Sequence, residues 1–159
     1  MNSQSIQKIF DYHDGKLYWK ISPAKNVPIG RRAGHKTSLG YRTIRFNKQA
    51  YFEHVLIFIL FNDYRPPLVD HIDGNPLNNL IENLREATSA QNQHNRKKPK
   101  TNTSGIKNVS WHKTTKKWEV RIGVDNQRLY LGKFEDLELA ELVAIEARNK
   151  YHKEFARGL

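Results

Sequence analysis

Between Val69 and Asn95 the sequence reads VDHIDGNPLNNLIENLREATSAQNQHN, and this stretch limits the possible folds more than any other part of the chain. Its apolar runs are short, and they are separated by Asp, Gly, Pro and Asn, residues that turn the backbone through local hydrogen bonds, positive φ or a fixed φ. Neither a long helix nor a wide sheet fits such punctuation. The pattern predicts a strand over Leu68 to Ile72, a loop, a second short strand near Leu84 to Thr88, and a helix capped by Ser89, which together make a ββα unit. Asp70 and His71 then end the first strand, Asn83 enters the second, and Asn92 sits about one turn inside the helix, a spacing that allows the four to meet in one cleft. An Asp carboxylate and an Asn carbonyl are hard oxygen ligands suited to Mg²⁺ or Mn²⁺, with positions left for phosphate oxygens and water. A neutral imidazole beside them is what phosphodiester hydrolysis needs to deprotonate water near neutral pH.

The charge distribution points the same way. The 159 residues carry a formal charge of +11, which taken whole says only that a polyanion is a plausible partner. Residues 1–66 hold 11 basic and 4 acidic side chains, and residues 101–134 hold 7 and 2, whereas residues 67–95 hold one basic and four acidic. Acidic groups gathered in one short stretch of a basic chain are the pattern expected where a cation sits against phosphate; chance clustering is the plain alternative.

In the order DHIDGN, NPLNN, ENLR and SAQNQHN, the central segment resembles the His-Asn-His (HNH, ββα-metal) endonuclease family, in particular its phage and intron-encoded, homing-type members. The resemblance implies His71 as general base, Asn83 as the residue that orients its imidazole, and Asp70 and Asn92 as ligands of one divalent ion, Mg²⁺ or Mn²⁺. Asn92 stands where the family's second His is expected, a substitution that some homing-type members share. His54, just ahead of the apolar run Val55 to Phe61, resembles a His often found there in these nucleases, but a structural role is the preferred reading. Asp73 and Asn75 read as loop-shaping residues.

Elsewhere the sequence predicts a short helix over Ser5 to Tyr12, a turn at Asp14-Gly15 feeding a strand over Leu17 to Trp19, and a hairpin of Tyr41 to Phe46 with Ala50 to Phe52 turning at Asn47-Lys48. A buried helix follows at Val55 to Phe61 and ends by Arg65-Pro66-Pro67. That seven-residue run is the longest unbroken apolar one, far below the roughly 20 needed to span a membrane. Residues 96–105, RKKPKTNTSG, read as a basic linker. The expected organisation is therefore residues 1–53 as a basic N-terminal region with short strands, 54–95 as the nuclease core, 96–105 as the linker, and 106–159 as a second module.

In that second module Ile106 to Trp111, Trp118 to Val124 and Arg128 to Leu131 predict a three-stranded antiparallel sheet. Asp136 caps a helix running to about Tyr151, whose Ala140, Ala144 and Ala147 let it lie close on the apolar sheet face. The fold class is thus α+β: a ββα-metal core plus a three-stranded antiparallel sheet packed on one helix. SGIKNVSWHKTTKKWEVRI, RLYLGKF and ELAELVAIEARNKYHKEFA resemble the DNA-binding domain of plant ethylene-response factors, the AP-two fold. The resemblance implies DNA-facing roles for Lys107, Ser110, His112, Thr114, Arg121, Arg128 and Tyr130. Ser110 and His112 replace the Arg common in plant members, and Tyr130 replaces a Trp, so the plant GC-rich preference does not carry over. Lys97, Lys98 and Lys100 are expected to track the phosphate backbone, while Trp111, Trp118, Leu131 and Phe134 read as core.

These readings converge on a metal-dependent DNA endonuclease of nicking or homing type, acting on double-stranded DNA with no small-molecule cofactor and no membrane. One site per chain makes a nick the simplest product of a monomer, and a dimer would be needed for a concerted double-strand break. The rival is a non-catalytic DNA-binding transcription regulator of the AP-two type. Absence of Cys and of an apolar leader predicts an intracellular protein, cytoplasmic, or in the host cytoplasm if phage-encoded, rather than a secreted one.

Overall fold

The computed structural model describes residues 1–95, 102–125 and 127–156. The chain divides by packing into two units, Met1–Ala87 and Thr88–Leu159. The first begins with helix α1 (Ser3–Ile9), capped by the Asn2 side chain, which accepts the Ser5 N–H. Strands β1 (Phe10–His13) and β2 (Lys16–Trp19) then form an antiparallel hairpin. Asp14 and Gly15 both take positive φ in its turn, as expected of Asp-Gly. Phe10 to Tyr12 had been expected to continue the helix; pairing Phe10 with Trp19 buries both rings, 4.8 Å apart, and that packing outweighs local helix preference.

Strands β3 (His35–Lys36), β4 (Arg42–Phe46) and β5 (Gln49–Phe52) make a three-stranded antiparallel sheet in that order. The β4–β5 turn falls at Asn47-Lys48, both at positive φ, where the sequence predicts it. Helix α2 (Glu53–Asn62) buries Leu56, Ile57, Phe58 and Ile59 together with Glu53 and His54. Being apolar almost all round, it can only be an interior helix. It ends at Asp63, in the left-handed conformation, before the prolines are reached. Strands β6 (Val69–His71) and β7 (Leu84–Glu86) pair antiparallel, with Asp70 opposite Arg85 and His71 opposite Leu84. A single core runs through Ile6, Leu17, Trp19, Ile44, α2, Val69 and Leu84, so residues 1–53 share their apolar interior with the segment that carries Asp70 and His71.

The second unit opens with helix α3 (Ser89–His94), so strand, strand and helix follow one another along the chain in the expected order. Its cap is Thr88 rather than Ser89: Thr88 and Gln91 exchange side-chain and backbone hydrogen bonds in a capping box. Strands β8 (Val109–His112), β9 (Lys117–Val124) and β10 (Gln127–Phe134) form an antiparallel sheet with β9 in the centre. Helix α4 (Leu137–His152) is capped by Asp136 and buries Ala140, Ala144 and Ala147. Ala140 and Ala144 share a core with Val109 and Val120 of the sheet, as the small residues predict. Trp118, Leu131 and Phe134 pack against that core, but Trp111, though opposite Trp118, is 41% exposed. None of the helices among the described residues is long and apolar enough to cross a membrane.

Candidate active site

Strand β6 presents Asp70 and His71 at its end, both buried. Asp70 Oδ2 accepts from Nε and Nη2 of its cross-strand neighbour Arg85, each at 3.0 Å. The negative carboxylate is therefore partly matched by a cation of the chain itself.

His71 is held differently from the expectation. The residue on its ring nitrogen is Asn79, whose Oδ1 lies 2.8 Å from His71 Nε2. Asn83 serves the loop instead. Its Nδ2 donates to Asp73 Oδ1 at 2.9 Å and to the Asn78 carbonyl at 2.7 Å, its Oδ1 accepts the Asp73 N–H, and its own carbonyl accepts the Ile72 N–H. Burial alone would raise the Asp73 pKa, but hydrogen bonds from Asn78, the Asn75 N–H and Asn83 outweigh it and hold the group below its ordinary value. Asn83 thus fixes the chain just past His71, and Asp73 and Asn75 shape that loop as expected.

Asn79 is in turn bonded to Glu53, the first residue of α2: Asn79 Nδ2 donates to Glu53 Oε2 at 2.8 Å. The same carboxylate accepts from Arg32 Nη2 at 2.9 Å and, through Oε1, from the Leu17 N–H at 3.0 Å. Glu53 is completely buried, and a buried carboxylate persists only where donors meet it in this way.

The faces of the His71 ring are set by aromatic neighbours. His54 approaches edge-on with centroids 4.9 Å apart, and Tyr41 lies at 6.1 Å. His54 itself stacks on Phe52. Burial, and secondarily the nearby His71, push the His54 pKa down to about 3, so its ring is neutral at physiological pH. Its Nδ1 is buried with no hydrogen-bond partner among the described residues. Sequence reasoning flagged His54 but missed Glu53, Asn79 and Tyr41. The one available signal was an acidic residue opening an otherwise apolar helix.

Asn92 lies on α3, in the second unit. On the β8–β10 sheet the pairing register sets Ser110, His112, Arg121, Arg128 and Tyr130 on one face. Arg121 is braced there by Glu119, with Nε 2.8 Å from Oε1, and lies over the Tyr130 ring at 5.8 Å. His112 Nδ1 caps the following turn by accepting the Thr115 N–H at 3.3 Å. Thr114 is in that turn and Lys107 precedes β8. Lys97, Lys98 and Lys100 lie outside the described residues.

Residues 51–94, which carry the strand-borne Asp-His pair and the loop cross-tied by Asn83, match the family model described as HNH endonuclease. The chain is also 41% identical over 91 residues to Protein 3.8 of Escherichia phage T7, an alignment that covers 56% of this chain and 73% of that protein, and it belongs to the same family. No solved structure matches it.

Proposed function

We propose that the chain is a metal-dependent DNA endonuclease that hydrolyses phosphodiester bonds, with His71 as general base. The observation that carries this reading is the buried His71, locked by Asn79 next to Asp70 within the segment matched to HNH endonucleases. His71 takes the proton of the attacking water, and Asn83, by tying down the loop that follows, keeps the imidazole at the end of β6.

Asp70 and Asn92 would hold the divalent ion, Mg²⁺ or Mn²⁺. Among the described residues no three His, Cys, Asp or Glu side chains gather as a metal site, but Mg²⁺ is ordinarily held by one or two carboxylates, waters and substrate phosphate. A hard-oxygen pair therefore suits it, and a carboxylate that receives Arg85 on Oδ2 has lone pairs for more than one partner. When bound, such an ion supplies charge stabilisation to the phosphorane-like transition state and the departing 3′ oxygen. The products are 5′-phosphate and 3′-hydroxyl ends, and one site per chain makes a nick the primary event.

The sheet face carrying Arg121, Arg128 and Tyr130 supplies the DNA-reading surface in the manner of an AP-two domain, with Ser110, His112, Thr114 and Lys107 around it and Lys97, Lys98 and Lys100 on the backbone. The Asp70–Arg85 pair favours the second reading, a non-catalytic DNA-binding regulator, because it satisfies the carboxylate without metal. Incubating supercoiled plasmid with the protein plus Mg²⁺, Mn²⁺ or EDTA separates the two. Nicked circles with metal and none with EDTA are expected; DNA binding without nicking in either metal would establish the regulator.

A further inference from the structure

The connected polar groups behind His71 have a direction. Glu53 receives three donors, from Leu17, Arg32 and Asn79, and an ionised carboxylate only accepts. Asn79 must therefore turn its NH₂ toward Glu53, because the reversed amide would set a carbonyl oxygen against the carboxylate. With the NH₂ so committed, Oδ1 is the atom that faces His71 Nε2 at 2.8 Å, and an amide oxygen can only accept. The imidazole nitrogen opposite it has to be the one that carries hydrogen.

We propose that Asn79 and Glu53 are positioning residues that hold neutral His71 as the Nε2–H tautomer, so that Nδ1 carries the lone pair that takes the proton from water. Arg32, 2.9 Å from Glu53, completes the relay as the cation paired with that buried carboxylate. The three side chains come from the loop ahead of β3, the start of α2 and the β6–β7 loop, and each is buried or largely so. The device is the one by which a hydrogen-bonded partner generally selects an imidazole tautomer; the amide here passes the carboxylate's preference on without placing a negative charge against the ring.

This inference deepens the endonuclease reading and rests on it for the role of Nδ1, but the tautomer can be measured without catalysis. The full chain, labelled with ¹⁵N in its histidine rings and assigned by comparison with His71→Gln, is examined by NMR at a pH where His71 is neutral. Nε2–H is expected in the unaltered protein. Asn79→Leu removes the acceptor and Glu53→Gln, which can donate as well as accept, removes the direction; both are expected to give a mixture of tautomers. In plasmid nicking, Asn79→Leu should lower kcat about 100-fold, the lower end of what a positioned general base contributes, with KM changed less than threefold. Nδ1–H in the unaltered protein would overturn the proposal, and so would a folded Asn79→Leu protein that keeps both the tautomer and kcat within twofold. If Asn79→Leu does not fold, the tautomer of the unaltered protein decides alone. Should that protein show Nε2–H but cut no DNA with either metal, the endonuclease reading fails and the relay stands.

Discussion

His54 makes the fold of the first unit sensitive to acid in a calculable way. Its pKa falls from the ordinary 6.5 to about 3 because the ring is buried, with a smaller contribution from His71. In the folded chain it stays neutral down to about pH 3, whereas in the unfolded chain it takes up a proton as pH drops below 6.5. Protonation thus favours unfolding, so stability is intact above pH 6.5 and is lost progressively between pH 6.5 and 3. Linkage puts the loss from pH 7 to pH 5 at about 2 kcal/mol, out of the ~5–15 kcal/mol that holds a typical domain together. Replacing His54 by Phe keeps a ring against Phe52, Tyr41 and His71 but removes the titration. Urea unfolding of the full chain and of His54→Phe, in EDTA at pH 7 and pH 5, isolates the effect, because shifts at Asp73 and His152 occur in both proteins and cancel. The unaltered chain should lose about 2 kcal/mol more than the variant over that interval. Equal losses in the two proteins would refute the reasoning, since they would mean that the imidazole is already solvated in the fold.

Other consequences are equally direct. His71→Ala should abolish nicking while leaving DNA affinity within a few-fold; loss of both together would assign His71 to folding. Ile57→Ala, at a fully buried position of α2, should cost about 2–5 kcal/mol in urea unfolding, and a cost below 1 kcal/mol would contradict the interior placement of that helix. Gly15 sits at φ +71°, and a Cβ there would lie 2.7 Å from Leu80 N and 2.8 Å from Asn79 C. Gly15→Ala should therefore destabilise the unit by more than the ~1–2 kcal/mol of the backbone conformation alone and also depress nicking, and an unchanged melt would show that the loop has room to move. Arg121→Ala should lower the slope of log affinity against log salt by about one if that side chain meets a phosphate; an unaltered slope and affinity would remove Arg121 from the DNA surface.

What could be read in advance divides along the distance over which the information is written. Asp14-Gly15 and Asn47-Lys48 announce their hairpins because positive φ is a local demand that few residue types meet, and Asp136 announces α4 because its side chain caps the helix two and three residues on. Asp70 and His71 were legible from their place at a strand end. The partner of His71 was not. Asn78, Asn79 and Asn83 are the same residue type within six positions, and spacing cannot tell which one turns toward the ring. That choice is made by Glu53, 26 residues earlier, which pulls the Asn79 amide, and by Asp73, which engages the other two. Phe10 to Tyr12 failed as helix for the same reason, since the partner strand decides it.

The approach of Gly15 to the backbone of Asn79 and Leu80, with the Leu17 N–H and Arg32 on Glu53, bears on how portable the candidate active site is. A fragment limited to residues 51–94 would contain every side chain that the endonuclease reading assigns to chemistry. It would lack the hairpin and loop that hold Glu53 and Asn79 in place, and would leave the buried Glu53 carboxylate without two of its three donors. Transplanting the centre into another protein as a cassette therefore requires the first fifty residues to travel with it.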